Sequence, residues 1–285
     1  MELVYDFHHL GTVPEDPATL IREAASIDEA IEQLQTDRLQ YRRYDLPGYA
    51  LREDPFEIEG RSSTKDFNVG IFMSASSENA KYLKDTELLT RGLIEEDIGI
   101  ITGGGAFGPM GKSTDIAYDM RSSHRAFHAA SNVPHIMSGE GDVRDFVSEF
   151  QIARDIYERM EFMLDRSNAF VITPGGTGTV QELALLALLK QRALDTDDEY
   201  AQQKMADKEI IIVNTKIEHR GQDRGFYDKL LEIIPAEDFK RLGIHVVDTA
   251  QQAKDKLLEL REKKQTQNFT PSVGENNSTV VENRL

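Results

Sequence analysis

Residues 167–191 read SNAFVITPGGTGTVQELALLALLKQ, and this stretch decides the fold. The apolar run Ala169-Phe170-Val171-Ile172 has the length of a buried strand, and Pro174 with the glycines after it ends the run abruptly. Thr179 to Glu182 has the spacing of a capping box, which predicts a helix through about Leu194. A strand, a glycine loop and a helix start together direct backbone N–H groups and the positive end of a helix dipole at an anion such as a phosphate.

A second strand, loop and helix pattern lies earlier in the chain. Residues 69–73 and 99–102 predict two strands separated by a helix over residues 82–95, and the second strand runs into the glycine loop of residues 103–111. A further helix begins at about Ser113. This order predicts an α/β fold, a Rossmann-like doubly wound parallel sheet with helices on both faces. Two glycine loops after neighbouring strands then face one crevice at the carboxyl edge of the sheet.

The remaining segments are assigned from the same patterns. Residues 129–132 are interpreted as a loop and residues 133–137 as a short edge strand or coil, because Pro134 cannot donate to a central ladder. Residues 145–166 predict one long helix with its apolar side chains on one face. Residues 195–208 are polar and are interpreted as a surface excursion. The last elements are strands over residues 209–214 and 244–247, and helices over residues 226–234 and 250–260.

The domain organisation follows from these assignments. Residues 1–66 lack strand alternation and are too poor in apolar side chains for a core of their own, so they are expected to form a partly helical N-terminal extension. Residues 67–261 form the α/β domain. Residues 262–285 are polar and aperiodic, which predicts a disordered tail.

Charge and composition exclude several classes of function. The 285 residues carry a formal charge of −17, which disfavours nucleic acid or an anionic membrane as a partner, although backbone amides and one or two arginines can still bind a small anion. No apolar run approaches 18 residues and no signal sequence is evident, so the protein is expected to be soluble and cytoplasmic. The absence of cysteine excludes disulfides and thiolate metal sites. His124, His128 and His135 lack a zinc motif and are interpreted as surface histidines, so no metal is expected.

Two motifs now connect the chain to a known family. Residues 174–182 read PGGTGTVQE and match a PGGxGTxxE signature, and Gly103-Gly104-Gly105 with residues 108–111, GPMG, is similar to a GGGxxGLMG element. On these motifs, residues 68–260 resemble the LOG family of phosphoribohydrolases, many of which were labelled lysine decarboxylases. The resemblance implies hydrolysis of a nucleoside 5′-monophosphate such as AMP to free base and ribose 5-phosphate. It also implies a small-molecule substrate, no cofactor, and a homodimer or higher homo-oligomer.

The family also has an arginine on the helix before the PGG strand, usually in an Arg-Lys pair. Arg159 matches this arginine, whereas Met160 replaces the lysine and Pro109 replaces the usual leucine of the other motif. Loss of the lysine, with Glu161 following, resembles the branch that hydrolyses ordinary purine and pyrimidine nucleotides. Cytokinin specificity is therefore not implied.

The resemblance assigns roles to individual residues. Glu182 and Arg159 are the catalytic candidates: the carboxylate would stabilise a cation-like ribosyl centre and deliver a water, and the guanidinium would pair with the phosphate or steady Glu182. The residues expected to bind the phosphate or nucleotide come from both glycine loops and the end of the first strand: Ser74, Gly104, Gly105, Gly108, Met110, Gly175, Gly176, Thr177, Gly178 and Thr179.

Each assignment has an alternative. Glu182 could be only the capping partner of Thr179, worth about 1 kcal/mol, and Arg159 could form an ordinary exposed pair with Asp155. Residues 183–189 fit either a helix core or a dimer seam. A non-catalytic carrier of a nucleotide or of molybdenum cofactor with the same fold is the alternative function. Lysine decarboxylation is not favoured, because neither glycine loop offers a Schiff-base lysine.

Overall fold

A computed structural model describes residues 64–219, 222–232 and 235–268, together with Ser26. Its main sheet has seven parallel strands in the order β4-β3-β2-β1-β5-β6-β9, which confirms the predicted α/β fold with a doubly wound sheet. The strands are β1 Asn68–Phe72, β2 Gly99–Thr102, β3 His128–Asn132, β4 Glu149–Ile152, β5 Ala169–Ile172, β6 Ile210–Val213 and β9 Ile244–Val247. A separate antiparallel hairpin, β7 Lys216–His219 and β8 Gln222–Gly225, was not predicted.

Helices cover both faces of the sheet, as expected. They are α1 Ala80–Glu95, α2 Gly108–His124, α3 Pro134–Glu140, α4 Ile156–Arg166, α5 Thr177–Asp195, α6 Glu199–Met205, α7 Asp228–Leu231, α8 Ala236–Arg241 and α9 Ala250–Asn268. Successive side chains of β5 point to opposite faces of the sheet. Phe170 and Ile172 lie in one core with α4 and α5, and Ala169 and Val171 lie in a second core with α1, α2 and α9. Among the described residues, no helix is long and apolar enough to cross a membrane.

The segment between β2 and α4 differs most from the prediction. Residues 129–132 belong to the buried strand β3 and not to a loop, and residues 134–140 form helix α3 with Pro134 in its first turn, where proline is tolerated. Of the predicted long helix over residues 145–166, the second half is confirmed as α4, Ile156–Arg166, and the first half is wrong. A short 3-10 turn, Arg144–Phe146, and strand β4 precede α4, because Phe150 packs in a core with Ala130 on the neighbouring strand.

The C-terminal part brings two smaller corrections. Residues 199–205 of the expected surface excursion form α6, whose Ala201 and Met205 are buried. Helix α9 continues to Asn268, so the first residues of the expected disordered tail are helical. The rest of that tail, the helix expected in the N-terminal extension apart from Ser26, and all but three of the first 65 residues lie outside the described residues.

The strand order fixes where a ligand can bind. Chain order runs outward from β1 through β2 and β3 to β4, and then returns to β5 on the other side of β1. The loops after β1 and β5 therefore separate in opposite directions and leave a crevice at the carboxyl edge.

Candidate active site

A cavity of about 560 Å³ lies at this switch point. Its walls come from the loop after β1 and from the ends of four helices, α2, α3, α4 and α5. The lining residues are Met73, Ser74, Ala75, Ser76, Met110, Ile136, Gly139, Glu140, Ile156, Arg159, Gly176, Thr177, Gly178, Thr179, Gln181 and Glu182.

The start of α5 forms one wall. Gly176 is the N-cap residue and makes no side-chain cap hydrogen bond, so the predicted capping box at Thr179 is wrong: the helix begins two residues earlier, at Thr177. Thr179 packs against Gly175, where an added Cβ would lie 2.1 Å from the Thr179 Oγ1 atom. The first amides of a helix have no intrahelical acceptor, and the residues that carry them here, 176–179, line the cavity.

Arg159 enters the cavity from the first turns of α4. Asp155 caps that helix by accepting hydrogen bonds from the amides of Tyr157 and Glu158 at 2.9 Å. Asp155 is therefore not an ion-pair partner of Arg159, and the side chain of Arg159 is buried, with 5% of the residue exposed. A Cβ on Gly103 would lie 1.8 Å from the Arg159 Nη2 atom, so the glycine leaves the space that the guanidinium occupies.

Arg159 and Glu182 form an ion pair inside the cavity wall. The Arg159 Nη2 and Glu182 Oε1 atoms are 3.6 Å apart, and Glu182 is 8% exposed. Burial raises the pKa of Glu182 to about 7, because loss of hydration and the nearby Glu140 carboxyl outweigh the opposing effect of Arg159. A carboxyl with that pKa can take or give a proton near neutral pH.

Glu140 is a site residue that the sequence did not single out. It ends α3, lines the cavity, and has an Oε2 atom that is buried without a hydrogen-bond partner among the described residues. Burial raises the pKa of Glu140, and Arg159 opposes this. No local motif marks this glutamate, because it becomes part of the site only when residues 134–140 fold as a helix beside the first glycine loop.

The predicted binding residues divide into two groups. Ser74, Met110 and residues 176–179 line the cavity. Gly104, Gly105, Gly108 and Gly175 do not, and the first glycine loop serves to pack its neighbours closely. The Ser74 Oγ atom accepts hydrogen bonds from the amides of Ser76 and Ser77 at 3.2 and 3.0 Å, which shapes the loop after β1.

One of the three histidines considered as metal ligands lies in the interior of the protein. His128 is 1% exposed and lies 2.8 Å from the Thr102 Oγ1 atom, so the expectation that it is a surface histidine is wrong. Its burial lowers the pKa to about 3, which keeps the ring neutral. Among the residues that the structure describes, no cluster of His, Asp and Glu side chains could hold a metal ion.

Comparison with known proteins finds a matching family model, similar proteins and similar solved structures. A family model described as "Possible lysine decarboxylase" matches residues 110–257. The chain is 24% identical over 211 residues to the probable cytokinin riboside 5′-monophosphate phosphoribohydrolase LOG6 of Arabidopsis thaliana, covering 72% of this chain and 93% of that protein. It is 24% identical over 197 residues to the phosphoribohydrolase LOG1 of the same plant, covering 67% and 81%. The solved molybdenum cofactor carrier protein of Chlamydomonas reinhardtii superposes with a TM-score of 0.46 at 17% identity, covering 69% of this chain and 98% of that one.

Proposed function

Since this chain belongs to the family described as possible lysine decarboxylases, the LOG family, we propose that it hydrolyses the N-glycosidic bond of nucleoside 5′-monophosphates. The products are the free base and ribose 5-phosphate. One observation carries the proposal: a buried carboxyl with a pKa of about 7 pairs with a buried arginine beside the amide end of a helix, all on one cavity.

The reaction exchanges one bond at the anomeric carbon. The bond from C1′ to the base nitrogen breaks, its electron pair leaves with the base, and C1′ gains positive character. A water oxygen adds to C1′ while Glu182, in its ionised form, takes the water proton. The departing base takes a proton from solvent and Glu182 later returns its own proton to solvent, so that one water is consumed for each base released.

The amide end of α5 is suited to the 5′-phosphate. Residues 176–179 line the cavity, and helix amides with the helix dipole bind a doubly charged phosphate well. Arg159 adds a full positive charge near the same wall. Local donors of this kind act over a few ångströms, where the formal charge of −17 is screened.

Decarboxylation, which the family description names, receives no support from the side chains present. Pyridoxal-dependent chemistry needs a lysine that forms a Schiff base. None of the described residues lining this cavity is a lysine.

We also propose that the protein forms a homo-oligomer, because α5 leaves the apolar residue Leu188 53% exposed. Light scattering would measure the mass of the assembly.

The direct experiment incubates the purified protein with a panel of nucleoside 5′-monophosphates, AMP among them, and measures free base and ribose 5-phosphate by chromatography. Equal amounts of both products are expected. The matching nucleosides without phosphate serve as controls and should react at least 100-fold more slowly, because the helix amides then have no anion to bind. A folded protein that releases no base from any monophosphate would overturn the proposal, and a molybdopterin that co-purifies intact would favour a carrier.

A further inference from the structure

Glu140 lines the cavity, but the proposed reaction gives its carboxyl no role. Its backbone carbonyl accepts a hydrogen bond from the Ala106 amide at 2.6 Å, which fixes the end of α3 against the first glycine loop. Its Oε2 atom would lie 3.0 Å from a Cβ on Gly105, so the glycine leaves the space in which the carboxyl sits. The carboxyl is thus held at a built position, yet its buried oxygen has no protein donor among the described residues.

The Arg159 guanidinium is likewise incompletely paired. Its Nε atom is buried and has no hydrogen-bond partner in the described part of the chain, and its 3.6 Å separation from Glu182 is an ion-pair distance longer than a hydrogen bond. The charge of Arg159 acts on two carboxyls, those of Glu182 and Glu140. Buried charges are ordinarily paired, so incomplete pairing of these groups costs free energy in the folded protein. Such a cost is expected at a site that binds a ligand or exchanges a proton.

We propose that Glu140 is a positioning residue of the active site, which shares Arg159 with Glu182 and thereby controls how readily Glu182 exchanges a proton. Its catalytic meaning rests on the proposed nucleotide hydrolysis. The structural part of the inference does not, because it concerns the three side chains alone.

The groups that act on Glu182 come from three elements. Arg159 on α4 favours its ionised form, whereas Glu140 on α3 opposes ionisation by like charge. Tyr227, just before α7, is electrostatically coupled to Glu182 but stays neutral, because burial raises its pKa and its hydroxyl donates to the Thr173 carbonyl at 2.6 Å. Glu140 is therefore the one acid in this group whose removal should release Glu182 to ionise.

The test is a carbon-13 NMR titration of the full chain carrying labelled glutamate carboxyls, with the Glu182 signal assigned by its loss in Glu182→Gln. In Glu140→Gln the pKa of Glu182 should fall by about one unit, since a like charge is gone and Arg159 serves one acid alone. Glu140→Asp, which keeps the charge, should move it much less. Glu95→Gln, at an exposed position at the end of α1, should leave it unchanged.

A reciprocal measurement guards against misfolding of one variant. Because coupled acids shift each other equally, the pKa of Glu140 should fall by the same amount in Glu182→Gln. If neither pKa moves in folded variants, the inference is overturned. Neither titration needs a substrate, so a failure of the proposed hydrolysis is seen separately, as the absence of base release. Where turnover is present, the acidic limb of the kcat/KM profile should move with the Glu182 pKa.

Discussion

Two edges of the same sheet bury charged side chains in opposite ways. Near its amino edge, the Lys190 Nζ atom donates to the carbonyls of Met205, Ala206 and Lys208 at 3.1, 2.8 and 2.7 Å. At the carboxyl edge, the Arg159 Nε atom and the Glu140 Oε2 atom are buried without hydrogen-bond partners among the described residues, and Glu182 pairs with Arg159 at an ion-pair distance of 3.6 Å.

The difference separates structure from function. Lys190 donates to three carbonyls around the end of α6, so its charge is offset by protein dipoles and we expect its role to be stability. The groups at the carboxyl edge are offset only in part, which costs free energy in the ligand-free protein and leaves binding capacity for a substrate. Substitutions at the carboxyl edge should therefore lower turnover, whereas substitution of Lys190 near the amino edge should lower stability.

The largest effect is expected for Glu182→Gln. This change keeps the size of the side chain but removes its ability to take a proton, so base release should fall by about 1,000-fold or more while the protein stays folded. Steady-state rates on the preferred monophosphate would measure it, with Glu95→Gln as the control. Activity within tenfold of the original protein would mean that the carboxyl is not the proton acceptor.

Gly103→Ala should come next. The added methyl would overlap the Arg159 guanidinium, so we expect a loss of roughly 100-fold in kcat/KM and a destabilisation of about 1–3 kcal/mol. Denaturant unfolding measures the stability change. Gly139→Ala is the matched stability control, because an added Cβ there meets nothing within 4 Å. Equal stability of the two variants would show that Arg159 is not confined by the first glycine loop.

Lys190→Met tests the other edge. Three carbonyls each lose a hydrogen bond, so the free energy of unfolding should fall by about 2 kcal/mol, whereas kcat/KM should stay within twofold. Urea unfolding and turnover are measured on the same preparation. A large loss of activity without loss of stability would erase the distinction between the edges.

The last expected effect is a dependence of stability on pH, similar in size to the effect of Lys190→Met but seen only as a change between two pH values. A raised pKa means that the folded state holds the Glu182 proton more tightly than the unfolded chain does. The stability that this proton contributes is therefore lost as the pH rises from 4.5, the ordinary pKa of the carboxyl, to about 7, its pKa in the folded protein. The unfolding free energy of Glu182→Gln relative to the original protein should thus increase by about 2 kcal/mol between pH 5 and pH 8. A flat difference over that interval would show that Glu182 ionises normally.

Much of this fold could be predicted from local pattern. The strand at Ala169 and the helix after Gly176 follow from a short apolar run, a glycine loop and a leucine-rich segment, and both are present. Strand β3 was missed because HAASN is small and polar, and only its burial between β2 and β4 makes it a strand. Phe150 was assigned to a helix because its spacing to neighbouring apolar residues fits either structure over so short a distance.

The candidate site was predictable only where a motif marks it. Arg159 and Glu182 lie on different helices, and the family resemblance, not spacing, suggested that they act together. Glu140 has no such signal, since its proximity to Arg159 depends on how α3 packs on the first glycine loop. That the glycines of this loop let the backbone approach the ligand stays a prediction, and Gly103 and Gly105 leave the space that the Arg159 and Glu140 side chains occupy.

The central claim is that the incompletely paired Arg159 binds a ligand and the fully paired Lys190 does not. Calorimetric titration of the original protein, Arg159→Met and Lys190→Met with ribose 5-phosphate tests this claim most directly. We expect the original protein and Lys190→Met to bind with the same Kd, and Arg159→Met to bind more weakly by about tenfold or more, because Arg159, unlike Lys190, has a buried donor without a partner among the described residues. Equal binding by all three proteins would contradict the assignment of the carboxyl edge as the ligand site.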